Sequence, residues 1–457
     1  MARKGPPAEA GHSPLADLTS LSQTPAHLTR LLVVDAVCST GMTTLLTGSF
    51  LAAFALTLGA NNEQVGLLTA LTLIGQPTQL IGLFLVQKVP SRKRIIMVCA
   101  ALGRLAWLPI VVASLRSTPP GLTFVFAWFS IFVLITSVPG PAWNSLLKAL
   151  VPTDALSRIF SKRIAWGTLT GLILTLASGF GVDLWLTYMP SSRPWTAYGV
   201  FFAFGLALGL LGVAALNALP DPPLAVGPER RGLGSLLTLP FKDRRFRPVL
   251  IFVSCWSFVN HLATPFFIVY MLEQLHLSLG TTMLFIALGQ LTQVIFARGW
   301  GRLADRYSNR VVMAACIPLI LWANVGWLFA RLPEPHVLTL PLIAAIQVAT
   351  GMAMSGMRLA VTNVTLKMSP ATHAHIYAGM VDIVAGLAGA IAPIGGGLLA
   401  DFFIEKHFEV VVSWTGPLKS VGFHVLSIKG LDFVFLTAAL VGAITLQSLN
   451  LIDEPSG

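Results

Sequence analysis

Twelve long apolar runs follow one another along the chain from Leu31 onward, and they restrict the fold more than any other feature. A bilayer core about 30 Å thick is crossed by roughly 20 apolar residues in a helix, which is the scale of these runs. Each run is continuously apolar instead of alternating, so its backbone polar groups can be satisfied within one helix, and a β-barrel is disfavoured. The sequence therefore predicts an all-α membrane protein with 12 transmembrane helices. The predicted spans are 31–59, 64–87, 95–115, 122–147, 163–187, 194–216, 248–272, 280–297, 311–330, 338–365, 376–403 and 431–451.

The composition agrees with a chain that is embedded in lipid. Hydrophobic residues make up 55% of the 457 positions and charged residues only 11%, too few to cover a soluble protein of this length. The mean hydropathy is +0.76. Residues 1–30 are rich in Pro, Ala and Ser and lack the pattern of a cleaved signal peptide, so we expect a flexible N-terminal tail.

The basic residues are unevenly placed along the chain. Most of the 30 lysines and arginines lie in segments that would share one side of the membrane: 1–30, 88–94, 148–163, 217–247 and 298–310. Short loops with excess positive charge mark the cytoplasmic side, so we expect both termini in the cytoplasm and the protein in the bacterial inner membrane. This placement accounts for the net charge of +11, and no nucleic-acid partner is expected.

Two short sequences recur at nearly the same offset. Gly75–Ile81 (GQPTQLI) in the second span recurs as Gly289–Ile295 (GQLTQVI) in the eighth, and Asn144–Lys148 (NSLLK) in the fourth recurs as Asn363–Lys367 (NVTLK) in the tenth. This spacing predicts two pseudo-symmetric six-helix bundles related by an axis along the membrane normal. The bundles would cover 31–216 and 248–451, with a basic cytoplasmic linker at 217–247 and a short tail at 452–457.

The segment that follows the eighth apolar run resembles a known signature. GRLADRYSNR resembles the loop between the second and third helices of each half in the major facilitator superfamily, with agreement at Gly301, Leu303, Ala304, Asp305, Arg306 and Arg310. Ser308 and Asn309 depart from the pattern. The first-half copy, Lys88–Arg94 (KVPSRKR), keeps the bases but has Lys88 in the acidic position.

The resemblance implies a secondary active transporter that works by alternating access. Gly301, Asp305, Arg306 and Arg310 would then form a gating motif. We expect Asp305 to lie at a helix N-terminus, where the dipole favours a carboxylate, and close to Arg158, Lys162 or Arg163 at the start of the fifth span. An ordinary solvated turn is the alternative. Because Lys88 replaces the acid, the two halves are not expected to gate equally.

Polar side chains within the spans are the candidates for solute binding. Arg104 lies nine residues into the third span, about 14 Å along the helix and near the midplane. Either Arg104 forms a structural ion pair with Asp35, or it binds an anionic substrate. Gln76 and Gln79 share a helix face, and they either join helices or contact the solute.

In the superfamily, helices 1, 4, 7 and 10 line the central cavity, so the resemblance extends the list of candidates. The expected substrate-binding residues are Asp35, Arg104, Trp128, Trp256, Asn260, His261, Gln347 and Arg358. Asp35, His261 and Asp382 are candidates for proton coupling. For His261 the alternative is a neutral core histidine, and for Asp382 it is local stabilisation of a helix start. The mixture of aromatic, amide and charged groups suits an amphiphilic organic solute.

The remaining features narrow the class of protein. No nucleophile and base pair, metal-ligand cluster or phosphate-binding loop stands out, so we expect neither an enzyme nor a bound cofactor or metal. Cys38, Cys99, Cys255 and Cys316 lack paired spacing and are expected to be packing residues. The expected partners are a small solute, protons and the lipid bilayer, and the protein is expected to be a monomer. A lipid flippase and a non-transporting assembly scaffold are the alternatives.

Overall fold

A computed structural model describes residues 26–189, 193–222, 237–331, 336–370, 373–415 and 420–452. Within these residues, twelve helices are long and apolar enough to cross a membrane, which confirms the predicted number. In chain order they are α1 (Ala26–Thr57), α2 (Asn62–Val86), α3 (Arg92–Ser114), α4 (Leu122–Leu150), α5 (Arg158–Tyr188), α6 (Pro194–Asn217), α7 (Arg247–Gln274), α8 (Leu279–Arg306), α9 (Asn309–Phe329), α10 (Thr339–Met368), α11 (Ile376–Phe402) and α12 (Leu431–Leu451).

Two helices depart furthest from their predicted limits: the helix that contains α5 begins at Thr153, ten residues before the predicted start, and α8 continues nine residues beyond its predicted end. The signature segment is therefore mostly helical. Asp305 lies in the last turn of α8, and α9 begins at Asn309 after Ser308, whose hydroxyl accepts a hydrogen bond from the Val311 amide. The expectation that Asp305 starts a helix is wrong. Its carboxylate lies at the negative end of the α8 dipole, where it is not favoured.

Several helices are interrupted at glycine or proline. Helix α1 breaks at Thr47 before Gly48, which has a φ of 62°. Helix α2 tightens to a 3₁₀ turn around Pro77, and α4 breaks at Val138–Pro139. Proline lacks the N–H that the helical ladder needs, which accounts for the interruptions of α2 and α4, whereas the positive φ of Gly48 accounts for that of α1.

A two-stranded antiparallel sheet between α11 and α12 was not predicted. Strand β1 (His407–Thr415) pairs with β2 (Ser420–Lys429). The ring of Phe403 stacks on Phe433 at 4.1 Å between centroids, which joins the base of this hairpin to the start of α12. We call this end of the molecule the hairpin end, and the opposite end, where α6 ends and α7 begins, the linker end.

The distribution of the apolar core shows how the two halves meet. At the hairpin end, one continuous cluster of buried side chains includes residues from both halves, such as Phe54 of α1 and Phe266 of α7. At the linker end there are two separate clusters. One contains Leu32 and Leu146 of the first half, and the other contains Val253 of the second. The halves are therefore packed together at the hairpin end and parted at the linker end.

Glycines bring the halves close where they touch. Gly66 of α2 lies against the backbone carbonyl of Pro393 in α11, and a Cβ at this position would collide with it. A Cβ at Gly179 of α5 would lie 2.7 Å from the side chain of Met283 in α8. The two contacts are equivalent under the repeat, since α2 corresponds to α8 and α5 to α11. Close packing at these two crossings closes the hairpin end.

Candidate functional site

A cavity of about 660 Å³ lies between the halves at the linker end. It is walled by α2, α4 and α5 of the first half, by α10 and α11 of the second, and by Leu237 from the end of the linker. Its volume is in the range of pockets that hold small organic ligands. Apolar lining residues include Leu83, Phe160, Leu366 and Met380, and polar ones are Gln79, Asn144, Ser145, Lys148 and Asp382.

The repeated glutamines have different surroundings. The Gln79 side-chain amide donates to Gln76 Oε1 at 2.5 Å, and Gln79 also lines the cavity. Gln76 packs against Gly386 of α11, where a Cβ would lie 2.9 Å from Gln76 Cβ. Gln76 thus joins the halves, while Gln79 is oriented by Gln76 at the cavity wall. Solute contact by Gln79 stays a prediction.

Two charged side chains of opposite sign line the cavity from opposite halves. Lys148 is exposed near the end of α4, and Asp382 is exposed on α11, near its start. Neither forms an ion pair with any of the residues that the structure describes. Arg358 of α10 is close enough to Asp382 for their charges to interact, although it does not line the cavity.

Of the residues predicted from the sequence as substrate or proton sites, Asp382 lines this cavity, and the other predicted residues lie elsewhere. Trp256 and Asn260 are buried in α7. Gln347 is buried in α10, where its Oε1 would lie 3.3 Å from a Cβ at Gly289 of α8. Trp128 is partly buried on α4 against the hairpin-end cluster. The expectation that these groups form one central site is not met in this arrangement of the halves.

Asp35 is engaged within the first half. Its Oδ2 accepts a hydrogen bond from Arg163 Nη2 at 3.0 Å, and Arg163 Nη1 donates to the Leu32 carbonyl at 2.6 Å. Arg163 also lies over the Trp143 ring at 4.9 Å. The expected ion pair between Asp35 and Arg104 is therefore wrong, because Arg163 of α5 binds the Asp35 carboxylate, while Arg104 is near enough to Asp35 only for their charges to interact.

Arg104 is buried and contacts backbone. Its Nη1 donates to the Ala100 carbonyl at 3.2 Å and its Nε to the Gly209 carbonyl of α6 at 3.4 Å. Gly209 also allows close packing here, since a Cβ at this position would lie 2.5 Å from Met42 Sδ and 3.2 Å from Arg104 Cγ. Arg104 therefore ties α3 to α6 and does not face the cavity.

His261 is held by its own helix. Its Nδ1 lies 2.8 Å from the Ser257 carbonyl, and the Ser257 hydroxyl donates to the Ala385 carbonyl of α11 at 2.7 Å. Since a carbonyl can only accept, Nδ1 carries the proton in this contact. Gly389 of α11 packs on the same ring, and a Cβ at Gly389 would lie 3.0 Å from Nδ1. These contacts favour the core-histidine alternative.

The signature acid is exposed at the linker end. Asp305 forms no ion pair with Arg158, Lys162 or Arg163 in the described part of the chain, and Arg163 is instead bound to Asp35. Arg310 donates to the Asn450 side chain at the end of α12 at 2.9 Å. The gating role of Asp305 remains a prediction that concerns a state with the linker end closed.

The first-half copy of the signature has a local structural role. Lys93 Nζ donates to the carbonyls of Asn217 and Leu219 at 2.6 and 2.7 Å, at the C-terminus of α6. The Ser91 hydroxyl donates a hydrogen bond to the Asp221 carboxylate, just beyond these carbonyls in the chain. A cation is favoured at the negative end of a helix dipole. The bases of this copy thus anchor the start of the linker to their own half.

Two aspartates that the sequence analysis missed connect the halves at the hairpin end. Asp183 of α5 accepts hydrogen bonds from the first backbone amides of α8, Leu279 at 3.1 Å and Gly280 at 2.8 Å. Asp401 of α11 accepts from the Asn62 side chain at 2.9 Å and the Glu63 amide at 3.2 Å, at the start of α2. Each carboxylate therefore caps a helix of the opposite half.

A sequence signal for these two aspartates exists. Each follows a glycine by four positions, in Gly179–Asp183 (GFGVD) and Gly397–Asp401 (GLLAD), and the two copies have an offset of 218. Each glycine lets the partner helix approach: a Cβ at Gly397 would lie 2.6 Å from Glu63 Cα. Comparing the two halves at the repeat offset would have found this pair. We call the contacts of Asp183 and Asp401 the hairpin-end latches.

Twelve helices in two pseudo-symmetric halves, with a cavity between the halves, define the architecture of a membrane carrier. The family model described as Major Facilitator Superfamily matches this chain over residues 36–393 and 258–446. The chain belongs to the major facilitator superfamily. A search of curated protein sequences finds no match.

Solved structures share this fold at low sequence identity. A mutant of the nucleoside transporter NupG is 15% identical, with 93% of this chain and 99% of that chain covered and a TM-score of 0.70. A D-xylose-proton symporter is 12% identical over 94% and 99%, with a TM-score of 0.67. A bacterial homolog of the human lysosomal transporter Spinster is 13% identical over 98% and 100%, with a TM-score of 0.62.

The family and the fold together support a secondary transporter of small solutes that is integral to a membrane. The donors that could hold a metal ion are scattered: in the described residues, no group of three or more His, Cys, Asp or Glu side chains is arranged to bind one. The cavity is therefore the site at which to look for solute binding.

Proposed function

We propose that this protein is a secondary active carrier that moves a small amphiphilic organic solute by alternating access, through the cavity at the linker end. The observation that carries this proposal is the asymmetry of the contact between the halves. One shared apolar cluster and two aspartate latches close the hairpin end, while the linker end holds a cavity of about 660 Å³. Rocking the halves about the cavity would exchange the open and the closed end.

The excess of basic residues at the linker end supports a cytoplasmic location for this end, by the positive-inside rule. The cavity would then be open to the cytoplasm, and the hairpin would lie on the opposite side of the membrane. We further propose that the carrier lies in a bacterial inner membrane and is a monomer. Labelling of exposed sites from each side, at Tyr188 for the hairpin end and Lys162 for the linker end, tests this orientation directly.

Asp382 is the best candidate for proton coupling. Asp35 is bound to Arg163, and His261 is bound to a backbone carbonyl and covered by Gly389. Asp382 faces the cavity and has no ion pair within the described residues, so a proton can reach it from the same space as the solute. A proton and a cationic group of the solute would compete for this carboxylate, which couples their movements.

The test is transport by the purified protein in liposomes. A pH gradient is imposed and uptake of a panel of amphiphilic solutes is measured together with proton flux. We expect solute-dependent proton flux from the parent protein and its loss in Asp382→Asn. Glu405→Gln is the matched control, because Glu405 is an exposed acid at the hairpin end, away from the cavity.

The alternatives predict different outcomes in the same preparation. A lipid flippase would move labelled phospholipid between leaflets and no soluble solute. An assembly scaffold would move neither and would be indifferent to Asp382→Asn. Absence of solute movement under every gradient, with the protein folded and correctly oriented, would reject the carrier proposal.

A further inference from the structure

We infer that the cavity recognises a zwitterionic solute, with Lys148 binding its anionic group and Asp382 binding its cationic group. This inference rests on the proposed function and specifies the chemical class of the solute. It starts from the placement of the two charges, one on α4 of the first half and one on α11 of the second, on the walls of one cavity.

Both charges are available to a ligand. Lys148 and Asp382 are exposed, and within the described residues neither has an ion-pair partner. The charge of Arg358 acts on Asp382, but Arg358 does not line the cavity. Both side chains line the same cavity, whose volume of about 660 Å³ is in the range of pockets that hold small organic ligands. By contrast, the charges of Asp35 and Arg163 neutralise each other inside the first half.

The uncharged lining suits the rest of such a molecule. Gln79 is fixed by its hydrogen bond to Gln76, and Asn144 is exposed beside Lys148 on the same helix, so both can bond to polar groups of the solute. Phe160, Leu366 and Met380 provide apolar surface for a side chain. The solute would thus combine a positive group, a negative group and an apolar body.

The pair of charges also discriminates against other solutes. An anion attracted by Lys148 meets a carboxylate of its own sign, and a cation attracted by Asp382 meets an ammonium group. A neutral solute would displace the water that is hydrogen-bonded to both charged groups, and it would offer no charge-assisted hydrogen bonds in exchange. A zwitterion satisfies both groups at once, and because they belong to different halves, its binding favours their approach.

The experiment measures binding to the purified full-length protein by isothermal titration with matched probes. The probes are L-phenylalanine and L-phenylalanyl-L-alanine, each with its N-acetyl derivative, which is an anion, and its C-terminal amide, which is a cation. For at least one of the two scaffolds, we expect the zwitterion to bind roughly tenfold more tightly than either derivative, the scale of one lost charge-assisted hydrogen bond.

Two variants test which side chain recognises which group. In Asp382→Asn the anionic derivative should bind as well as the zwitterion, and in Lys148→Gln the cationic derivative should do so. A purely structural role would weaken all three forms equally. Glu405→Gln is the control and should leave the preference of the parent unchanged.

The inference is overturned if neither zwitterion binds, if a singly charged derivative binds the parent as tightly, or if the variants do not exchange the preference as described. Transport measurements separate this failure from failure of the proposed function. Movement of a neutral or singly charged solute in liposomes would leave the carrier proposal standing and reject only the zwitterion. Absence of any solute movement would reject the carrier itself.

Discussion

The hairpin-end latches offer the sharpest prediction, because their geometry allows a magnitude to be worked out. Each aspartate accepts two hydrogen bonds from the first turn of a helix in the opposite half. An anion at a helix N-terminus contributes 0.3–1 kcal/mol when exposed and up to about 2 kcal/mol when partly buried. Both carboxylates are partly buried, so we assign about 1–2 kcal/mol to each latch.

Asp183→Asn and Asp401→Asn keep the shape of the side chain and remove its charge. Since 1.36 kcal/mol is a factor of ten, each variant should shift the equilibrium toward a state with the hairpin end open by about five- to thirtyfold. The double variant should shift it by about 30- to 900-fold if the latches act independently. Inverting a 99:1 equilibrium takes about 5.5 kcal/mol, so the two latches alone would not invert a strongly biased equilibrium.

The assay is a distance measurement between spin labels in liposomes, with the 4 native cysteines replaced. Labels at Tyr188 and Leu338, exposed near the hairpin end in opposite halves, report its opening. Labels at Lys162 and Arg302, exposed near the linker end, should report closing in the same sample. Glu405→Gln is the charge-matched control and should leave both distance distributions unchanged.

This reasoning would be refuted if both latch variants gave the same distance distributions as the parent protein at both ends. It would mean that the close glycine crossings hold the hairpin end by themselves. Lengthening at the hairpin end without shortening at the linker end would also contradict it, because the latches would then only order local structure and not couple the two ends.

Three further predictions concern single side chains. Arg163→Ala should lower the free energy of unfolding by about 3–5 kcal/mol, because it leaves the Asp35 carboxylate buried without its partner. A detergent unfolding titration measures this loss, and adding Asp35→Asn should restore part of it. Arg104→Ala should lower the free energy of unfolding by about 1–3 kcal/mol, because its hydrogen bonds to backbone carbonyls are lost, and should leave solute affinity unchanged. Loss of affinity at unchanged stability would indicate that Arg104 binds the solute. Asp305→Asn should slow net transport by about tenfold if the signature acts when the linker end closes; an unchanged rate in liposomes would remove it from the gate.

The membrane topology was predictable because it depends on the chain alone. Each helix needs a continuous apolar run of a given length, and these runs can be counted without knowing their neighbours. The repeated segments at Gly75–Ile81 and Gly289–Ile295 likewise indicated the two halves. The end of α8 was misplaced because its last turns are polar, and a hydropathy pattern marks where lipid ends and not where hydrogen bonding ends.

The β-hairpin was missed for a related reason. Residues 404–430 follow an apolar helix, and their sequence predicts only an outer loop. Apolar and polar residues alternate from Ser420 to Val425, but Glu409 to Ser413 contains three successive valines, so the pattern over the two strands is a weak signal. A sheet of two strands is marginal alone, and this one depends on packing such as that of Phe403 on Phe433, which no local pattern encodes.

The sequence predicted which types of residue would line the candidate site, but it identified only some of the residues themselves. Asp382 was named from its position in an apolar run, and it does line the cavity. An ion pair between Asp35 and Arg104 was one of two alternatives for Arg104, because both side chains are charged within apolar runs, whereas Asp35 binds Arg163, 128 positions away. Depth along a helix follows from the sequence, but the direction in which a side chain points depends on how neighbouring helices rotate and tilt.

The sequence by itself determined that this chain spans a membrane twelve times, is built from two related halves and carries the signature of its superfamily. Only the tertiary structure decided that the halves meet at the hairpin end through Asp183 and Asp401, that Arg163 and not Arg104 forms the ion pair with Asp35, and that Lys148 and Asp382 line one cavity. The physical reason is that burial in lipid is a property of each segment, whereas the pairing of polar groups inside a bundle depends on the arrangement of all helices together.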